Sequence, residues 1–147
     1  MARLANRLRS DEGSAAIEAA VILPSLVMFL CLTIAGGRIV TSGAKIDAAA
    51  EDAAREASIH RTAAAAQGAA QSAAAQSLGD QGITCASTSV TVNTGGLSVP
   101  VGQVGTVTVT VTCTVNLSDL LLPGLPGAKT LTSTATSVVD QYRQRGE

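Results

Sequence analysis

Glu18 is the one formally charged side chain in the apolar run from Ala15 to Ala35. An acidic group at the centre of a membrane span costs about 2.5–3.5 kcal/mol, and less near the end. A carboxylate in such a place therefore implies a partner for its charge, or a position near the interface from which it reaches water. Cys85 and Cys113 form a second pair of interest, because two cysteines in a Thr-rich, strand-like region suit a disulfide in an oxidising compartment. Cys31 lies inside the apolar run and reads as an inert buried thiol. The only histidine, His60, has no second His or Cys at metal-ligand spacing and reads as a solvated surface residue. No Gly-rich phosphate loop is present, since "NTGGLSVPVG" lacks the Lys-Ser/Thr and helix that must follow. A catalytic triad built on His60 would need a positioned acid and a pocket that this composition hardly supplies. The sequence reads as that of a protein that is not an enzyme and that uses no cofactor or metal.

The elements that must position these residues begin with the apolar run itself. As α-helix, the 21 residues from Ala15 to Ala35 (35 − 15 + 1) rise about 31 Å, against a hydrocarbon core of about 30 Å. A soluble core helix would carry a polar stripe. Here only Ser25 and Thr33 are polar after Glu18, and both can bond back to the helix backbone. The segment is expected to span or enter a membrane. A cleaved secretory signal peptide and an uncleaved signal anchor are the two competing readings. Arg3, Arg7 and Arg9 precede the run, while Arg38, Lys45 and Arg55 follow it, so the positive-inside count is a tie. The cysteine pair decides for a cytoplasmic N-terminus and an extracytoplasmic C-terminal part.

Removing residues 1–37 leaves 110 of 147, room for one small domain. The hydrophobic fraction is 46%, much of it alanine, with one Phe, one Tyr, no Trp and a net charge of −1. That balance offers no basic patch or stacking platform for nucleic acid.

Of the 34 residues from Ala44 to Ser77, 16 are alanine, the best helix former. Asp47, Glu51 and Arg55 follow each other at spacing four, acid before base. Gly79 follows Leu78 as a C-cap would. The expectation is one helix from Ser14 to about Leu78, with flex points at Gly36, Gly37 and Gly43, whose second part forms an Ala-rich stalk.

From Gly82 onward the period changes to two. "GTVTVTVTCTVNL" puts Val107, Val109, Val111, Cys113, Val115 and Leu117 on one face and threonines on the other. "ITCASTSVTVNT" and "KTLTSTATSVVDQY" read as weaker strands on either side. A hairpin folded about Val99 sets Cys85 opposite Cys113 and Ile83 opposite Val115. It leaves Val90 and Val92 on the wrong face, which calls for a bulge between Cys85 and Val90 or a different register there. Leu120–Leu122 reads as an apolar helical turn in the Pro-Gly-rich loop before the third strand, and Leu120–Leu125 as a core-covering loop in preference to an exposed apolar lip for a partner. The fold class is α+β: a membrane-spanning helix, an Ala-rich helix, and a small antiparallel sheet of about three strands. The domains read as leader 1–13, span 14–37, Ala-rich helix 38–78 and disulfide-stabilised β domain 79–147.

A family resemblance ties these features together. "RSDEG" followed by "SAAIE" and "AAVILPSLVMFLCLTIAGG" is similar to the prepilins of type IV and tight-adherence pili. The closer resemblance is to the TadE-like family of minor pilins or pseudopilins. It rests on Gly13 to Glu18, Leu23-Pro24, Gly37-Arg38 and the run Ala53-Ala54-Arg55-Glu56-Ala57, within residues 10 to 57. Ala19 stands where these families often carry an aromatic. The resemblance implies cleavage by a prepilin peptidase between Gly13 and Ser14, leaving a free amine at Ser14. Glu18 would then compensate the amine of a neighbouring subunit as helices bundle, since paired buried charges cost less than lone ones. Pro24 would kink the helix. The implied partners are other pilin subunits and the pilus assembly platform, both through the N-terminal helix, together with the peptidase and membrane lipid. A surface-binding module that stays anchored without polymerising is the competing function.

Overall fold

The computed structural model describes residues 2–120 and 126–142, with side chains from residue 15 onward except 119 and 120. The elements are α1 (Ala2–Ile59), α2 (Ala63–Asp80), β1 (Ser87–Asn93), a 3-10 turn (Gly95–Ser98), β2 (Gly105–Asn116), a one-turn α3 (Leu117–Leu120) and β3 (Ala128–Val139). They form two compact units, Met1–Gly37 and Arg38–Glu147.

The first unit is the N-terminal part of α1. Every side chain from Ala15 to Ile34 is exposed. The hydroxyls of Ser25 and Thr33 donate to the carbonyls of Ile22 and Leu30, each at 2.8 Å, so both polar side chains are satisfied within the helix. Pro24 lies inside α1, where the missing N–H leaves the Ala20 carbonyl without its i+4 donor. The helix is regular through Gly36, Gly37 and Gly43, so the three glycines are not breaks.

The second unit is an α-helical hairpin laid on one face of a three-stranded antiparallel sheet of order β1-β2-β3. The expected helix to Leu78 is two helices. Its chain leaves helical geometry at His60–Thr62, and Thr62, in extended conformation, accepts the Ala65 N–H on Oγ1 at 3.2 Å. A threonine ahead of "AAAA" is an N-cap signal, and the alanine propensity on both sides masks it. Helix α2 runs to Asp80, and its capping glycine is Gly82, three residues after the expected Gly79. Gly82 takes φ +67°, with Gly82 N–H on Gly79 O and Ile83 N–H on Leu78 O, the paired bonds of a Schellman cap.

Folding back converts the alanine run from a stalk into a core. Ile46, Ala49, Ala50, Ala53, Ala54 and Ala57 make one buried stripe of α1, and Ala66, Ala70, Ala74 and Leu78 make that of α2. The spacings of three and four residues keep each stripe on one helix face. Opposite them lie Val107, Val109, Val111, Cys113 and Val115 of β2, all buried. Alanine contributes little area per residue, but it loses no rotamer entropy on burial and lets helices approach closely. Lys45 Nζ donates to the Gln81 carbonyl at 2.7 Å, and Ser77 Oγ to Asp52 at 2.8 Å. These bonds fix the two helices antiparallel. Gln67 Nε2 reaches the Val90 carbonyl of β1, and Ser137 Oγ of β3 donates to Ser58 Oγ of α1.

The outer face of the sheet is threonine. Thr108, Thr110, Thr112 and Thr114 share hydroxyl hydrogen bonds of 2.9–3.2 Å with Thr136, Thr134, Thr132 and Thr130. These cross-strand pairs support the β2–β3 register. The β1–β2 register differs from the fold about Val99: Val90 pairs with Val111 and Val92 with Val109, so paired numbers sum to 201 rather than 198. All four valines thus share the inner face. Cys85 lies before β1, and Ala86 N–H donates to the Thr114 carbonyl that begins the ladder. The irregular Cys85-Ala86 step absorbs the slip. At the hairpin end Gly96 and Gly105 meet backbone to backbone, and a Cβ on Gly96 would collide with the Thr106 backbone. Of the expected turn at Leu120–Leu122, Leu120 closes α3, while Leu121, Leu122 and the rest of the loop to Leu125 lie outside the described residues.

Candidate assembly site

The residues with charge or chemistry fall in three places. Glu18 stands on α1 in the first unit, exposed, with apolar neighbours that are exposed all round the helix, such as Ile17, Val21, Ile22 and Leu26. A helix that is apolar on every side satisfies its backbone internally and wants an apolar surrounding rather than water. From Ala15 onward α1 is long and apolar enough to cross a membrane. Gly13 and Ser14 are helical, one turn before Glu18. The site is therefore a carboxylate at the start of an apolar rod, able to pair with a cation brought to it from outside the chain. Cys31 is a free thiol, exposed on the same rod.

The second place is the exposed side of α1 in the second unit. Within Ala53-Ala54-Arg55-Glu56-Ala57, the three alanines are buried and Arg55 and Glu56 are exposed. The alanines of this motif thus serve packing, while its charges face solvent. Glu56 Oε1 lies 3.5 Å from His60 Nε2, an ion pair only when the imidazole is protonated. His60 is half-buried rather than fully solvated. Arg55 lines a groove of about 520 Å³ with Asp47, Glu51 and residues 133–137 of β3. The Arg38 carbonyl accepts Ser42 Oγ at 2.8 Å, a bond within the helix.

The third place is the disulfide. Cys85 and Cys113 are bonded across a Cα–Cα distance of 5.5 Å. Cys113 is fully buried under the helices and Cys85 partly so, which places the bond in the core. Among the described residues no three His, Cys, Asp or Glu side chains gather as metal ligands would.

Sequence reasoning missed the groove beside β3. Its walls come from segments far apart in the chain, and only the helix break at His60–Thr62 brings them together. The one available signal was the small-residue series Ser133, Ala135 and Ser137, which leaves space where larger side chains would fill it.

Residues 13–55 match the family model described as TadE-like protein. The match begins at Gly13, contains Glu18, Pro24, Gly37 and Arg38, and closes at Arg55; α2 and the whole sheet lie beyond it. No curated protein and no solved structure matches the chain.

Proposed function

We propose that this chain is a minor pilin or pseudopilin of a tight-adherence type pilus, matured by a prepilin peptidase that cuts between Gly13 and Ser14. The observation that carries this reading is the position of Glu18, a lone exposed carboxylate one turn into the apolar stretch of α1 that begins at Ala15, in a segment that matches the TadE-like model from Gly13 onward. Cleavage would leave an ammonium group at Ser14. In a bundle of such helices the Glu18 carboxylate of one subunit meets the amine of another, and each removes the other's desolvation cost. A rod with no buried face of its own gains its packing from lipid before assembly and from other rods afterwards.

In this reading the N-terminus lies in the cytoplasm, and the second unit, with its disulfide, lies outside the cytoplasmic membrane. The protein's partners are other pilin subunits, the assembly platform and the peptidase. It catalyses nothing and carries no cofactor, and its work is structural.

Glu18→Ala tests the reading. The variant is expected to insert in the membrane at wild-type level and to disappear from the sheared filament fraction. Equal recovery of variant and wild type with filaments would contradict assembly through Glu18 and favour an anchored binding module.

A further inference from the structure

The two edges of the sheet are finished differently. Antiparallel strands alternate residues that exchange backbone hydrogen bonds with residues that do not. Leu117 N–H donates to the Gly127 carbonyl, one step beyond the pairing of Asn116 with Ala128. Odd-numbered residues of β2 and β3 therefore bond to each other. Thr130, Thr132, Thr134 and Thr136 turn their N–H and C=O groups away from β2. On β1 the outward position Val90 has its carbonyl taken by Gln67 Nε2 at 2.9 Å. No such cap covers the four outward threonines of β3 among the described residues.

Exposed edges are usually guarded by Pro, Lys or a bulge, or covered by another element. Between Thr130 and Val138 there is no Pro, Gly or charge, and β3 pairs with β2 without interruption. Beside this edge runs the groove of about 520 Å³ under α1, floored by the small side chains of Ser133, Ala135 and Ser137 and walled by Asp47, Glu51 and Arg55. An added strand needs unpaired backbone groups for affinity and space on alternate sides for its own side chains. Both are present along this edge.

We propose that the free edge of β3 receives an extended segment of a partner protein by strand addition. The segment's inward side chains are small or basic, because two carboxylates face one guanidinium in the groove. Its outward side chains are hydroxylic or β-branched and extend the threonine ladder. This inference stands apart from the pilin reading, since nothing in it depends on Gly13 or Glu18.

The test uses the full chain, oxidised, in detergent micelles. The probe is a synthetic decapeptide of alternating Thr and Lys, with a Thr-Glu decapeptide and a backbone N-methylated Thr-Lys decapeptide as controls. At a peptide concentration ten times Kd, amide exchange at Thr130, Thr132, Thr134 and Thr136 is expected to slow about tenfold, with the amides of α2 unchanged. The N-methylated control keeps the charge but cannot pair, and is expected to give no protection. Thr134→Pro removes an outward N–H and leaves the β2 ladder intact. It should abolish the protection while Cys85–Cys113 still forms. Equal protection by the N-methylated peptide would reduce the effect to charge attraction and overturn the proposal. Protection that appears without peptide and rises with protein concentration would assign the edge to a second copy of this chain, and also overturn it. No protection by the Thr-Lys peptide at any concentration would do the same.

Discussion

Cys113 shows how much one residue can carry in a core this small. Its side chain is fully buried, and its bond to Cys85 closes a sequence separation of 28 residues. In the chain-entropy model such a loop is worth about 3.5 kcal/mol, with engineered cases usually giving less. That is a large share of the stability of a small domain. Cys85→Ser is therefore expected to lower the unfolding free energy of the second unit by up to about 3.5 kcal/mol. With no Trp in the chain, urea dependence of hydrogen exchange at the Val109 and Val111 amides is the suitable measure. Unchanged protection would mean that the alanine layer holds the sheet without the bond. In the proposed reading Glu18 acts at the same scale by charge rather than packing, its cost in an apolar helix being relieved by a partner.

At the scale of elements, the alanine helices set the distance between layers. Ala70 is fully buried on α2, and nothing in this core can retreat far from a larger side chain because the facing residues are alanines and β-branched valines. Ala70→Leu should cost about 1–3 kcal/mol by overpacking, seen as faster exchange in β1 and β2 while α1 before Gly37 is unaffected. A neutral result would contradict close packing of the hairpin on the sheet. This layer was only half legible in the sequence. Strand β2 announced itself through unbroken Val/Thr alternation, and the apolar run announced α1, because each pattern extends over many residues. The break at His60–Thr62 did not, since helix propensity is strong on both sides and one capping hydroxyl decides it. The β1–β2 register was legible only as two alternatives, for a related reason. Two residues, Cys85 and Ala86, take up a slip of three in the pairing sum; the misplaced Val90 and Val92 signalled an irregularity there, but a symmetric fold about Val99 could not choose between a bulge and another register. Of the candidate site, Glu18 and the disulfide pair were readable because charge in an apolar run and paired cysteines are local signals. The groove beside β3 was not, since it exists only after the chain folds back.

At the scale of the whole molecule, the two units answer to different solvents. Arg38–Glu147 holds its own core, disulfide and sheet, whereas the helix before it exposes apolar side chains on every side. Residues 38–147 expressed alone in an oxidising compartment are expected to form Cys85–Cys113 and unfold cooperatively. A reduced, unprotected chain would show that the unit needs its N-terminal helix to fold. The way the start of that helix is made separates a pilin from a simple anchor. The most direct measurement is the intact mass of the protein taken from its native membrane. A chain beginning at Ser14 is the predicted result, since removal of the first 13 residues would create the amine that the proposed pairing with Glu18 requires. A chain beginning at Met1 or Ala2 would contradict peptidase maturation and leave α1 as a simple anchor.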